Sequence, residues 1–485
     1  MKKNLKFAAP LAAAFAVAGC IAVDESASRP AAPQYSGVFS CDPPALDEPA
    51  VRAEGAPSAD AAPRREGLWP WEELAVRAGL RSDDAKAAWV GAAARRLRVE
   101  DDLAWKNPEL RFGQDWGDTR QRNSGEPPAN GSGYSSSVGL RFYVPNPFVE
   151  RYARAKGDAD IRRDGARAAL EAYGVYSEVK MLCFEAARAR VEERFLAARA
   201  EACEALRQAC EDAAKDGVFG SPLDTIRAET KLRRIQAKLA ETETERRTLL
   251  RRIAWLADVD DDEFDVEDGP GPLPEPELLS VEELTEIAFA RRPDLAAAVA
   301  EFESAEAGLS AAKAARIPWF RFVEAAYSHD NDRENEWDRH KTGHSDEFSL
   351  KASLYLPIFT WAGNSVALSE AVRDCADERL RSLYASIRRE IAAAYDDYLD
   401  AAARRRGEDG GGFAQRMEKR IAEYAASPTA TATDVWKARE ELSEYRSIEA
   451  AFDMAAVEAR LCLEAVVGGP LPLAAAPRVP ETAEE

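Results

Sequence analysis

The sequence predicts a mainly α-helical chain with a small β part, built from two copies of one strand–helix unit. Three observations carry this. Long alanine- and charge-rich stretches lack proline, four short segments alternate apolar and polar residues, and the whole pattern recurs at an offset of 210 to 212 residues.

The recurrence rests on ordered anchors. Leu68-x-x-Trp71-Glu72-Glu73-Leu74 matches Leu278-x-x-Val281-Glu282-Glu283-Leu284. Pro108-x-Leu110-Arg111-Phe112 matches Pro318-x-Phe320-Arg321-Phe322, and Tyr143-Val144-Pro145 matches Tyr355-Leu356-Pro357. Asp224-Thr225-Ile226-Arg227-Ala228 matches Asp434-Val435-Trp436-Lys437-Ala438, with Leu232 on Leu442. Two units follow, 68–257 and 278–467, joined by a linker at 258–277 and followed by a tail at 468–485.

Each unit opens with one helix, expected at about 70–105 and 280–316. A strand then starts after a proline: Pro108 to about Gly117, and Pro318 to about His329. A polar loop leads to a second strand, Tyr134 to Pro145 and Asp346 to Pro357. Phe348, Leu350, Ala352 and Leu354 share one face of the last strand, as Val138, Leu140 and Phe142 do in its counterpart. Glu324 interrupts the alternation of the third strand. A proline-free stretch from Pro147 to about Lys215 predicts a helix of roughly 100 Å at 1.5 Å per residue. A turn at Asp216–Pro222 reverses it into a return helix ending near Ala257. In the second unit the return helix runs from about Thr433 to Val467, and the cluster Gly407-Glu408-Asp409-Gly410-Gly411-Gly412 should break or hinge the helix before it.

Four strands cannot close a barrel, and an open sheet edge is not tolerated in lipid. Strands of this length fit a tilted membrane strand, so several chains must share one barrel if the strands are in a membrane; three would give twelve strands.

The first nineteen residues read as a signal peptide. Lys2, Lys3 and Lys6 precede an apolar run from Phe7 to Gly19, too short to span a bilayer. It ends in Val17-Ala18-Gly19-Cys20, which resembles the bacterial lipobox and implies lipid attachment at Cys20. Cleavage there removes three lysines and takes the formal charge from −21 to −24. Residues 20–67, rich in Pro, Ala, Ser and acids, then form a lipidated disordered tether. The acidic balance argues against nucleic acid. Six further cysteines (Cys41, Cys183, Cys203, Cys210, Cys375 and Cys462) have no metal spacing and read as small buried hydrophobes. His329, His340 and His344 fall, with several acids, in the expected loop between the third and fourth strands; a solvated loop is the plainer reading, a surface metal site the sharper one. No phosphate loop, dinucleotide fingerprint or nucleophile elbow is present, so no catalytic residue, metal or cofactor is assigned.

The second unit resembles the outer-membrane efflux protein family, the TolC-like outer-membrane factors. Ala290-Arg291-Arg292-Pro293-Asp294-Leu295 looks like the family's helix opening, and Leu354-Tyr355-Leu356-Pro357-Ile358-Phe359 its strand end. Ala392-Ala393-Ala394-Tyr395 with Tyr398-Leu399 fits its long helix. The resemblance covers about 68–467. It implies a homotrimer: a trimeric α-barrel of helical hairpins below a twelve-stranded transmembrane β-barrel in the outer membrane. It also implies a periplasmic adaptor (membrane fusion protein) and an inner-membrane pump as partners, and passage of substrate without catalysis. Asp434, its counterpart Asp224, and Tyr424 match positions at the family's periplasmic gate, although Lys437 stands where some members have an acid. Helix capping accounts for both aspartates equally well. The alternative reading of the chain is a periplasmic coiled-coil scaffold or adaptor lipoprotein without a pore.

Overall fold

The computed structural model describes residues 36, 38–39, 68–121, 129–215, 222–259, 264–269, 280–336, 339–356, 364–409, 412–427 and 432–471. Cys20, Cys41 and most of the expected tether lie outside them. The elements in order are β1 (Leu68–Trp69), α1 (Trp71–Arg81), α2 (Asp83–Leu103), β2 (Glu109–Gln121), β3 (Ala129–Phe142), α3 (Pro147–Lys215) and α4 (Pro222–Ala257). The second unit follows with β4 (Asp265–Val266), α5 (Val281–Arg291), α6 (Pro293–Ala314), β5 (Trp319–Glu336), β6 (Arg339–Tyr355), α7 (Asn364–Asp409), α8 (Phe413–Ala425) and α9 (Ala432–Val467).

The opening helix of each unit is two helices, which corrects the single helices expected at 70–105 and 280–316. Ser82 ends α1 in an extended conformation and its hydroxyl accepts from the Ala85 amide, so it caps α2. In the second unit Arg292 ends α5 in an extended conformation without a side-chain cap, and Pro293 is the first residue of α6. Proline disfavours helical geometry in the residue before it, so the break falls at Arg292. The Arg292 guanidinium binds Asp294 and Glu390 at 2.7 Å each and donates to the Val466 carbonyl at 3.3 Å. The Arg-Pro-Asp motif therefore ties α5–α6 to α7 and to the end of α9. Ser280 and Glu283 form a reciprocal capping box ahead of α5.

The long helices fall where the proline-free stretches put them. α3 is continuous over 69 residues. In the second unit the helix stops at Asp409 and α8 starts after Gly412, which has φ +57°. A left-handed residue costs a side-chain-bearing amino acid energy and glycine none, so the cluster breaks the helix as expected. No described helix is long and apolar enough to cross a membrane.

Four strands form one antiparallel sheet in the order β2-β3-β5-β6, so the two units join at β3–β5. All four run further than the sequence suggested. His329 lies on β5 and His340, His344 and Asp346 lie on β6, which corrects the long loop expected there to a two-residue connection.

The largest core lies where α1 and α2 pack on α3, a second lies around α5, α7 and α9, and between them they reach into three segments expected to be passive. Phe39, in the expected tether, is buried against Trp89 and Tyr176, and the Ser36 amide donates to the Ala290 carbonyl at 2.7 Å. Gly79 permits this: a Cβ there would collide with the Phe39 ring and meet the Ala172 carbonyl at 2.9 Å. The linker contributes β4, which pairs in parallel with β1. The tail contributes Leu471, and Arg291 donates to the Pro470 carbonyl at 2.8 Å. Of the cysteines, Cys183 and Cys203 are buried as small hydrophobes, but Cys375 and Cys462 are exposed, contrary to that reading.

Candidate conduit and its helical end

The sheet has two chemically distinct faces, because side chains alternate along each strand and the register aligns them across strands. Leu110, Phe112 and Trp116 on β2 stand opposite Leu140, Val138 and Tyr134 on β3. Those continue onto Ala325 and Tyr327 of β5, then Leu350 and Phe348 of β6. This face is apolar and open: Trp116 is 78% exposed, Phe112 75% and Phe348 73%. One polar row, Gln114, Ser136, His329 and Asp346, interrupts this face between Phe112 and Trp116; large exposed apolar side chains on either side of it fit lipid rather than water.

The opposite face is polar. It carries Arg111 and Asp115 on β2, Ser135, Ser137 and Arg141 on β3, Glu324 and Ser328 on β5, and Glu347, Ser349 and Lys351 on β6. Glu324, the residue that broke the sequence pattern, belongs here and is 7% exposed. Its carboxylate lies 2.6 Å from Arg141 and 3.5 Å from Arg111, and the Arg141 guanidinium sits 3.9 Å over the Phe322 ring. A strand that alternated strictly would put residue 324 on the same face as Phe320. A bulge between Phe320 and Phe322 resets the parity and turns Glu324 to the charged side. At the sheet's base the Trp319 indole donates to the Pro145 carbonyl at 2.9 Å, which fixes the second unit's strands to the first.

The helices join the units through charged contacts in several places: Arg162 of α3 lies 2.8 Å from Glu303 of α6, and two clusters lie elsewhere. In the core region Lys180 of α3 lies 2.7 Å from Glu464 of α9 and 3.0 Å from Glu72 of α1. Tyr176 donates to Glu72 at 2.7 Å, and Arg460 lies 2.9 Å from Glu464. Burial pushes the Lys180 ammonium down, but Glu72 and Glu464 outweigh it and its pKa stands above the ordinary value. Further along, Glu440 of α9 receives Lys231 of α4 and lies 3.4 Å from Arg199 of α3. Lys231 also sits 4.7 Å over the Trp436 ring. Leu196, Cys203, Leu232 and Ile235 form a small core beside them.

The residues singled out from the sequence are placed as follows. Asp224 and Asp434 are each the third residue of their helices, α4 and α9. That is inside the first turn rather than at the cap, where the helix dipole favours a carboxylate. The Asp224 side chain lies outside the described residues; Asp434 is exposed. Tyr424 is partly exposed in the last turn of α8, and its carbonyl accepts from the Ser427 amide at 2.9 Å. Sequence reasoning missed Lys231, Arg199 and Glu440. Lys231 adjoins Leu232, one of the repeat's anchors, and Trp436 is another anchor position, so the signal was position in the repeat rather than residue type. His329 faces Asp346 across β5 and β6 at 2.7 Å. The side chains of His340 and His344 lie outside the described residues.

Residues 284–469 match the family model described as outer membrane efflux protein. The comparison with curated proteins finds no match. Among solved structures the chain is similar to the outer-membrane channel OprN, with 19% identity, TM-score 0.61, and coverage of 85% of this chain and 95% of that one. A membrane protein from Pseudomonas aeruginosa aligns at 17% identity and TM-score 0.61 over 91% of this chain and 99% of its own. The outer membrane protein VceC of Vibrio cholerae aligns at 17% identity and TM-score 0.60 over 82% and 96%. These identities speak to fold, and the family model speaks to the second strand–helix unit. Residues 284–469 are thus of the outer membrane efflux protein family, set in a chain that has the fold of outer-membrane channels over most of its length.

Proposed function

We propose that this chain is the outer-membrane exit duct of a tripartite efflux or secretion system. The observation that carries the reading is the sheet: one exposed apolar face, one charged face, and two outer strands, β2 and β6, each paired on one side only among the described residues. Three copies joined edge to edge would close twelve strands, with lipid outside and the charged face around a lumen. The long helices would continue the wall into the periplasm, where an adaptor and an inner-membrane pump supply substrate and energy. The chain itself would catalyse nothing. Lipidation at Cys20 would add a second hold on the outer membrane.

The helical end is where we place the gate. Asp224, Asp434 and Tyr424 lie at the ends of α4, α9 and α8, and the Lys231–Glu440–Arg199 cluster joins the two hairpins near them. A pore-free periplasmic scaffold, the alternative from the sequence, has no use for an exposed apolar face on a four-stranded sheet.

Single-channel conductance of the purified chain in a planar bilayer tests the proposal. Discrete openings that grow larger or longer in Glu440→Gln or Asp434→Ala are expected. A folded trimer that conducts in none of these forms would sink the duct. Cysteines placed at Asn130 and His340 should label from outside intact cells.

A further inference from the structure

One row of charge crosses the sheet. Glu109, Arg141, Glu324 and Lys351 are successive register partners on β2, β3, β5 and β6, so the sign alternates at every step. The inner members Arg141 and Glu324 are paired at 2.6 Å, and Glu109 on the outer strand β2 accepts from the Tyr143 hydroxyl at 2.7 Å. Lys351, on the outer strand β6, is exposed and has no ion-pair or hydrogen-bond partner among the described residues of its own copy. On the other outer strand, β2, Asp115 is exposed on the same charged face and is likewise unpartnered among them. On this face β6 thus offers Lys351, with Glu347 four residues away, and β2 offers Asp115, opposite in sign to Lys351.

We propose that Lys351 pairs with Asp115 of a second copy of this chain, and that this ion pair sets the register in which β6 of one copy joins β2 of the next. The proposal rests on the trimeric-duct reading. The internal repeat supplies the alignment. The contact between units, β3 on β5, sets Arg141 opposite Glu324. Superposing Tyr355 on Tyr143 carries Arg141 onto Ser353 of β6. Superposing Pro318 on Pro108, and discounting the one-residue bulge after Phe320, carries Glu324 onto Gly113 of β2. If the contact between copies repeats the contact between units, Ser353 meets Gly113 of the neighbour. Two residues along each strand, Lys351 then meets Asp115.

Parity supports this placement. A slip of one residue would set Lys351 against Gln114 or Trp116, on the neighbour's other face. A slip of two residues toward Gly113 leaves Asp115 as the diagonal neighbour, still within reach of a lysine side chain. In either case Lys351 has Asp115 within reach across the seam.

The test is a charge-reversal cycle in the full-length chain extracted from outer membranes. Lys351→Glu and Asp115→Lys are made singly and together. The readout is the temperature at which the SDS-resistant trimer dissociates on a gel. Each single reversal is expected to lower that temperature, and the double reversal to recover most of the loss. A neighbouring reversal on the same strand and face, Glu347→Lys, should gain nothing from Asp115→Lys. Trimers in every variant with a double reversal no better than the weaker single would overturn the seam pairing alone. Monomer throughout, including the unaltered chain, would overturn the trimeric duct and the pairing with it.

Discussion

Replacing Lys180 with Met tests how the two strand–helix units are held together. Lys180 bridges α1 and α9, and the side chains of Lys180 and Glu464 are 8% and 4% exposed. Breaking a buried pair by removing one partner costs about 3–5 kcal/mol, because the other charge stays buried. Two features place this case at the low end. Arg460 still neutralises Glu464 at 2.9 Å, and Glu72 is partly solvated and keeps the Tyr176 hydroxyl. The expected loss is therefore about 3 kcal/mol. For a chain of this size, where unfolding entropy is roughly 2 cal/mol/K per residue, that lowers Tm by about 3 °C. Calorimetry of the detergent-extracted protein measures it, with the exposed Arg379–Glu301 pair as control, where Arg379→Ala should move Tm by less than half as much.

The pH dependence of the same site has a fixed sign. The Lys180 pKa is raised on folding, so its stabilisation is fully present below the unfolded lysine pKa of about 10.4. It is lost as pH rises through the higher folded value. The Tm difference between wild type and Lys180→Met should hold constant from neutral pH to about 10 and shrink above it. A Lys180→Met protein with unchanged Tm at neutral pH would refute the claim that this cluster joins the units.

Three further outcomes follow from particular contacts. Gly79→Ala should cost about 1–3 kcal/mol through overpacking against Phe39 and the Ala172 carbonyl, and should expose the chain near Phe39 to limited proteolysis. Glu324→Gln removes a negative charge beside Arg111 and Arg141 and, in the duct reading, should shift the reversal potential in a salt gradient toward anions. Burial pushes the Cys183 thiol up, only partly offset by Lys180, so Cys183 should resist a maleimide at pH 8 while exposed Cys375 reacts, until denaturant equalises them.

Much of this fold is written in local signals. The 69-residue helix needs only an absence of breakers, and its bounds fall on Pro147 and Lys215 as expected. The alternation of Phe348, Leu350 and Leu354 marks the face that the register later aligns with its neighbours. Signals fail where partners distant in sequence decide the outcome. Residues 331–336 and 339–344 look like a polar loop, yet strand pairing carries the hairpin through them. Phe39 sits in a stretch with the composition of a tether, and one aromatic docking over Gly79 overrides that composition. The breaks at Ser82 and Arg292 were missed because periodicity runs through them, although Ser-Asp-Asp and Arg-Pro-Asp are ordinary helix-start chemistry. The charged sites behaved likewise. Asp224 and Asp434 stand out by position, whereas Lys180, Glu440 and Arg199 resemble any solvated helix residue until the helices pack.

The glycine break gives the two helical hairpins different mechanical characters. α3 is an unbroken rod, so a displacement at either end is carried to the other with little loss. Its counterpart is interrupted between α7 and α8, with Gly412 in a left-handed conformation. Should that interruption act as a hinge, a lateral push on the helices would tilt the first hairpin as a lever and fold the second like a wrist. Filling the joint with alanines would make the pair move as two levers, a change in compliance with no change in any ion pair or core contact described above.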